Sequence, residues 1–328
     1  MSERIAALQA WLRDDLGMED FSFAPASSDA SFRRYFRIFA NGRSHIVMDA
    51  PPDKEDVGPF IRIALAMAEL GLNVPRILAE DRVNGFLLLS DLGSRHYLQD
   101  LSEGSVERLY GDAMAALGRL QAAPVRDAEL PDYDRPLLLR EMGLFRDWYL
   151  LRHLGWGSDP VLEEVLAQTF NFLADQALMQ PKVWVHRDYH SRNLMVCGDH
   201  NPGVLDFQDA VIGPVTYDLV SLLRDCYIAW PPSRVAEWAK GYWEALRADG
   251  LLAGVSAQQF LRWFDFMGVQ RHLKAVGIFA RLHYRDGKSG YLADIPRTLH
   301  YLLEVSSRHQ ELRPLHRLLE ERGVLQPR

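Results

Sequence analysis

"VHRDYHSRNLMV" occupies residues 185 to 196, and "GVLDFQDA" follows at 203 to 210. In the first stretch an apolar run, VWV, ends at His186; Asp188 comes two residues later and Asn193 five beyond that. In the second, Val204 and Leu205 lead directly into Asp206 and Phe207. Each stretch reads as a short buried strand that delivers oxygen donors at its C-terminal end. Together they supply one carboxylate able to take a proton and an amide and second carboxylate able to hold a hard cation.

Upstream the chain changes character at Gly17. Residues 4 to 17 are amphipathic at helical spacing, and the segments after them are short and β-rich: FSFAP (21 to 25), RYFRIF (34 to 39) and SHIVMDA (44 to 50). Asn41-Gly42 predicts a hairpin turn between the last two. A helix over 55 to 70, stopped by Gly71, precedes two more strands, VPRILAE (74 to 80) and GFLLLSD (85 to 91). After Asp91-Leu92-Gly93 the periodicity is helical, near 105 to 122, 135 to 154, 160 to 179, 215 to 228, 233 to 249, 257 to 281 and 294 to 321. The expected domains are 1–92, a β-rich lobe, and 93–328, a helical lobe that carries the two quoted stretches.

Composition removes several classes of function. A net charge of −7 over 328 residues argues against a phosphate-backbone binder, so no nucleic-acid partner is expected. The opening MSERIAALQAWLRDDLG lacks the apolar core of a signal peptide or anchor, and no later apolar run approaches the roughly 18 residues that span a bilayer. No membrane partner is expected either. Cys197 and Cys226 have no metal-ligand spacing, which suggests reduced thiols and a cytoplasmic protein. A monomer is expected.

A β-rich lobe, a helical lobe, HRDxxxxN and then an apolar strand ending in Asp-Phe resemble the parts of protein-kinase-like phosphotransferases. The resemblance implies an α+β, bilobal protein-kinase-like fold with a small β-rich N-lobe and a large helical C-lobe. It makes Asp188 the catalytic base and Asn193 and Asp206 the ligands of Mg2+, with ATP as phosphoryl donor. His186 becomes a brace for the loop. Gly213-Pro214 followed by Asp218-Leu219 is similar to the aminoglycoside phosphotransferase and choline kinase branch, in which Asp218 would cap or brace the catalytic loop. The segments SSDASFRRYFR (27 to 37), VMDAPPDKEDVGPF (47 to 60), NVPRILAED (73 to 81), LDFQDAVIGPVTYDL (205 to 219) and RDGKSGYLADIPR (285 to 297) resemble the bacterial kinases that phosphorylate N-acetylmuramate and N-acetylglucosamine at C1 in cell-wall recycling.

The nucleotide side departs from a protein kinase. SSDASF (27 to 32) replaces a glycine-rich loop, although small residues with hydroxyls still permit phosphate binding through backbone N–H groups, Ser28 and Ser31. Met48 and Asp49 stand where the strand would carry its phosphate-binding lysine. An arginine of RRYFR (Arg33, Arg34 or Arg37, the first two favoured), or else Lys54 from the PPDK loop, would have to supply that charge. Leu89 and Asp91, at the end of GFLLLSD, complete the nucleotide-binding set that the resemblance implies.

The acceptor side is less determined. Tyr227 and Trp230 sit beside the Pro231-Pro232 break, where an aromatic ring could stack on a sugar or simply pack in the core. A basic stretch follows with Arg271 and Arg281, and an arginine is the natural partner for the lactyl carboxylate of N-acetylmuramate. His190, Gln208, Asp209, Trp230, Arg271 and Arg281 form the expected substrate-binding set. Gln208 and Asp209 could equally stabilise a turn. Glu141, Trp148 and Arg152 share one side of the helix over 135 to 154 and could also reach the pocket. The alternatives are a kinase of another sugar or amino alcohol, or a nucleotide-binding pseudokinase sensor.

Overall fold

The alternating and continuous apolar runs before residue 91 build a sheet flanked by two helices: α1 (Glu3–Ala10), β1 (Phe21–Ser27), β2 (Arg34–Ala40), β3 (Arg43–Asp49), α2 (Gly58–Glu69), β4 (Ile77–Asp81) and β5 (Phe86–Ser90). Beyond them come α3 (Tyr97–Asp100), α4 (Val106–Gln121), α5 (Arg135–Leu144), α6 (Pro160–Leu178), β6 (Lys182–Val185), β7 (Leu194–Met195), β8 (Gly203–Val204), β9 (Val211–Pro214), α7 (Tyr217–Leu223), α8 (Pro232–Ala248), α9 (Ala257–Asp286), α10 (Ile295–Arg308) and α11 (Arg313–Glu321). The structure, a computed structural model, describes residues 3–27, 32–40, 42–125 and 129–325. No helix among the described residues is long and apolar enough to cross a membrane.

Two compact units result, Met1–His96 with Leu194–Asp209, and Tyr97–Asn193 with Ala210–Arg328. This division differs from a cut at residue 92, because the segment carrying Asp206 joins the first unit. The reason is backbone pairing: β7 pairs with β8, Val204 N–H donates to the Asn73 carbonyl and Val196 N–H to that of Arg95.

In the first unit the five strands are antiparallel in the order β1-β2-β3-β5-β4. Ala40 pairs with Arg43, so the β2–β3 loop has the two residues expected of an Asn-Gly turn. Gly42 has φ of +72°, which suits glycine; Asn41 lies outside the described residues. Phe86, Leu87, Leu88 and Leu89 are all buried because β5 lies inside the sheet with both faces covered, hence its unbroken apolar run. Leu8, Trp11 and Leu12 pack on Phe36, Ile38, Val47, Phe86 and Leu88. Five buried apolar residues of α2, Phe60, Ile61, Ile63, Ala64 and Met67, form the apolar stripe of that helix.

The second unit is organised on α9, whose buried apolar residues run from Phe260 to Leu282. Its close approach to α5 requires Gly277: a Cβ there would lie 2.3 Å from the backbone of Leu144. Two expected helices are shorter than their periodicity suggests. The run 294 to 321 divides into α10 and α11 because His309 is extended and Pro314, which lacks an N–H, opens the second helix. The run 215 to 228 ends at Leu223, after which Arg224 leaves helical geometry and the Asp225 carboxylate accepts N–H groups from Ser191 and Tyr227.

Candidate active site

The apolar strand β6 delivers the chain to His186, and the loop that follows is fixed almost entirely through its backbone. Asp218, in the first turn of α7, accepts the N–H groups of His186 at 2.6 Å and Arg187 at 3.0 Å. Asp218 itself is buried, which pushes its carboxyl up to about 7 against those two donors. The brace expected of Asp218 is therefore built from two backbone hydrogen bonds. His186 is also buried and accepts the Asp188 N–H on Nδ1 at 3.2 Å. Arg187 has φ of +77°, a left-handed turn that rotates the chain before Asp188.

The loop then closes on itself. Asn193 Nδ2 donates to the Asp188 carbonyl at 3.0 Å, which fixes the amide with its oxygen turned away from that carbonyl. His190 N–H donates to the same oxygen at 3.0 Å. The Asp188 side chain lies among basic groups: burial would push its carboxyl up, but Lys274, His190, Arg187 and Arg271 outweigh burial and hold it below the usual carboxylate range. An ionised carboxylate at that place suits a proton acceptor that also orients a hydroxyl.

Arg271, on α9, is 5% exposed, and its single hydrogen bond runs from a terminal nitrogen to the Cys226 sulfur at 3.5 Å. Its Nε has no partner, so a buried guanidinium beside the catalytic loop lacks a paired carboxylate. His190 Nδ1 is likewise buried without a partner, its ring edge-on to Tyr227 at 5.3 Å. Arg192 lies 3.6 Å above the same tyrosine ring. Burial lowers the His190 imidazole below its ordinary value.

Trp230 is placed elsewhere. It is buried against Tyr110 and Trp238 and donates its indole N–H to the Tyr110 hydroxyl at 3.1 Å. Of the two roles open to it from the sequence, its surroundings are those of a packing residue. Arg281 stands ten residues after Arg271 on α9, about 15 Å further along the helix axis. It is half-buried, and burial and the adjacent Arg285 lower its guanidinium.

The first unit holds the remaining expected residues. Asp206 turns the chain with φ of +62°, and Phe207 is fully buried against Phe60 at 4.9 Å. Gln208 Nε2 donates to Asp206 Oδ1 at 2.8 Å and lies 3.3 Å from Asp209 Oδ2. Arg33 brings a guanidinium nitrogen 3.7 Å from Asp206 Oδ1, with its side chain 9% exposed. Burial opposes that charge, while Tyr35, Asp206, Glu55 and Asp209 raise it. Arg34 takes another direction: it shares the buried Asp49 with Arg4. Lys54 is half-exposed beside Asp53 at 3.5 Å.

Asp91 is committed to Arg37 at 2.6 Å, to the Ser44 hydroxyl and to the Gly93 N–H at 2.9 Å. Leu89 has its side chain in the sheet core. Ser28 and Ser31 lie outside the described residues. Among the described residues no group of three or more His, Cys, Asp or Glu could hold a metal by itself. The Asn193 amide oxygen and the Asp206 carboxylate are each of the hard-oxygen type that would suit magnesium.

Sequence reasoning assigned no role to Tyr133 or Asp225, reached Glu141 only as part of a helix side that could line the pocket, and took Lys274 only as one of a basic stretch. Lys274 is one of only five lysines in the chain and lies three residues after Arg271, a signal that could have drawn attention to it.

A candidate catalytic loop braced from α7, an Asp-Phe turn after a hairpin and a five-stranded sheet define a phosphotransferase of the protein-kinase-like fold. The chain belongs to the phosphotransferase enzyme family, whose model matches residues 22–255. It is 50% identical over 295 residues to the N-acetylmuramate/N-acetylglucosamine kinase of Pseudomonas aeruginosa, covering 90% of this chain and 87% of the relative. It is 45% identical over 328 residues to the Pseudomonas putida kinase of the same name, covering 97% and 96%. In fold it is similar to the GDP complex of an aminoglycoside 2'-phosphotransferase, with a TM-score of 0.63, 15% identity and coverage of 92% and 97%. It is also similar to the ethanolamine kinase of Plasmodium vivax, with a TM-score of 0.63, 10% identity and coverage of 92% and 87%. The chain is thus an enzyme, a kinase by family and fold.

Proposed function

We propose that the enzyme transfers the γ-phosphoryl group of ATP to the C1 hydroxyl of N-acetylmuramate and N-acetylglucosamine, as a cytoplasmic monomer. The observation that carries this reading is a buried Arg271 that acts on Asp188 from the same neighbourhood yet forms no ion pair of its own among the described residues. A cationic acceptor such as an aminoglycoside or an amino alcohol would gain nothing from Arg271, whereas a lactyl carboxylate would give it the partner that it lacks. The names of the relatives from Pseudomonas support the same acceptors.

In the reaction the sugar O1 attacks the γ-phosphorus, the bond to the β–γ bridging oxygen breaks, and ADP leaves with that electron pair. The O1 proton passes to an Asp188 carboxylate oxygen. An anomeric hydroxyl is more acidic than an ordinary alcohol, so Asp188 mainly orients it and accepts the proton late in a loose transition state. Asn193 and Asp206 would hold magnesium, which would neutralise phosphate charge. Arg33 supplies a cation to the nucleotide phosphates in place of the missing strand lysine, and Ser28 and Ser31 add donors. His190, Gln208, Asp209 and Arg281 are the residues assigned to acceptor binding. 31P NMR of the product tests the proposal: a phosphate coupled to the anomeric proton is expected, and phosphate at any other sugar carbon would overturn it.

A further inference from the structure

Beside the loop of Asp188 lies a second cluster of charge, in which Lys274 and Arg187 are also near enough to act on the Asp188 carboxylate. Glu141, on α5, is 5% exposed. Its Oε1 accepts a hydrogen bond from the Arg187 guanidinium and lies 3.2 Å from Lys274 Nζ, while its Oε2 accepts the Tyr133 hydroxyl. Lys274 donates in turn to the Tyr217 hydroxyl at 2.9 Å. Tyr133 and Tyr217 meet edge to face at 5.2 Å and enclose the cluster, and the Arg187 guanidinium lies 5.8 Å from the Tyr133 ring. Gln270 Nε2 reaches the Tyr133 hydroxyl at 3.4 Å.

This arrangement bears on the backbone. Arg187 occupies a left-handed conformation that glycine adopts freely and arginine adopts only at a cost. A side chain with a Cβ persists there when its surroundings over-determine it. Two supports do so: Asp218 holds the Arg187 N–H, and Glu141 holds the Arg187 side chain. Lys274 ties them together, since Tyr217 is the immediate neighbour of Asp218. The next residue is Asp188, so a shift at Arg187 is transmitted directly to the base. Glu141 also offsets one of the two cations beside it.

We propose that Glu141 is a positioning residue for phosphoryl transfer: by clamping Arg187 in its left-handed turn, it sets the aim of Asp188. The proposal rests on the reading of Asp188 as the base. A carboxylate that merely stabilised the fold would change the melting temperature and leave turnover per folded molecule intact. One acting through Arg187 affects kcat and little else, and its effect disappears once Arg187 no longer needs clamping.

The test is a double-mutant cycle on the full chain with ATP, magnesium and N-acetylglucosamine, using Glu141→Gln, Arg187→Gly and the pair. Loss of one charge-assisted hydrogen bond corresponds to roughly 10- to 100-fold, so E141Q is expected to lower kcat by about that factor with KM for both substrates nearly unchanged. In the R187G background, where glycine takes the turn without strain, E141Q should lower kcat by less than about threefold. Full multiplication of the two single effects, or unchanged kcat in folded E141Q, overturns the proposal. Should E141Q fail to fold, Arg187→Met keeps the Cβ and removes the ion pair; it should show the same kcat loss, and full kcat in R187M overturns the proposal. Absence of sugar-dependent ADP formation by the unmodified chain would overturn the reading of Asp188 and this inference with it. Transfer that is indifferent to these variants overturns the inference alone.

Discussion

Arg33 places a guanidinium nitrogen 3.7 Å from Oδ1 of Asp206. The neighbouring Arg34 grips the buried Asp49 together with Arg4. Two consecutive arginines at the start of one strand thus have separate work: one faces the Asp-Phe-Gln turn and the other locks the sheet. Arg33→Met should raise KM for ATP by roughly 10- to 100-fold, the worth of a lost charge-assisted contact, with a smaller change in melting temperature. Arg34→Met should do the reverse, lowering stability by about 1–3 kcal/mol with KM for ATP nearly unchanged. Initial-rate kinetics and denaturation of the two variants decide the matter; equal effects on KM would remove the distinction.

Arg271 is expected to separate the two proposed acceptors. N-acetylmuramate carries a carboxylate and N-acetylglucosamine does not, so Arg271→Met should lower kcat/KM for the former by roughly 10- to 100-fold more than for the latter. The ratio is the informative quantity, because Arg271 also helps to hold Asp188 below the usual carboxylate range and its loss affects both reactions. An unchanged ratio would exclude a contact with the lactyl carboxylate.

His272 makes the fold sensitive to acid. Its Nε2 donates to the Arg224 carbonyl at 3.0 Å, its ring stacks on Tyr301 at 5.0 Å, and burial, reinforced by Arg271 and Arg224, lowers its pKa to about 3. The folded protein therefore keeps the ring neutral, whereas the unfolded chain protonates it below 6.5. Its contribution to stability is complete above 6.5 and declines as pH falls towards 3, by about 1 kcal/mol between pH 7 and 5.5. His272→Gln should remove that part of the pH dependence in urea titrations at the two pH values. An unaltered dependence would show that the ring is protonated in the folded state.

Much of this was readable in the residues themselves. The continuous FLLLS run announced a strand buried on both faces, the Asn41-Gly42 pair fixed the length of a hairpin loop, and HRDxxxxN with LDF marked the chemistry. What the sequence concealed depends on long-range pairing. Glu141 meets a lysine at 274, and no periodicity connects positions that far apart. Arg33 and Arg34 are chemically alike, so only strand register, with Arg34 opposite Asp49, assigns them. Trp230 beside a Pro-Pro break gave no sign of the Tyr110 hydroxyl that receives its N–H. The division of the last helical run was visible in Pro314 and was obscured by the apolar period continuing across it.

The central claim is that Asp188 directs an anomeric hydroxyl at ATP. The measurement that tests it most directly is ADP release with magnesium and either the reducing sugars, N-acetylmuramate and N-acetylglucosamine, or their 1-O-methyl glycosides. Both reducing sugars should be consumed, and Asp188→Asn should slow that by roughly 10²- to 10⁴-fold while nucleotide binding persists. The glycosides should be inert, because their C1 oxygen has no proton to give. Phosphorylation of a glycoside at a comparable rate would contradict the account.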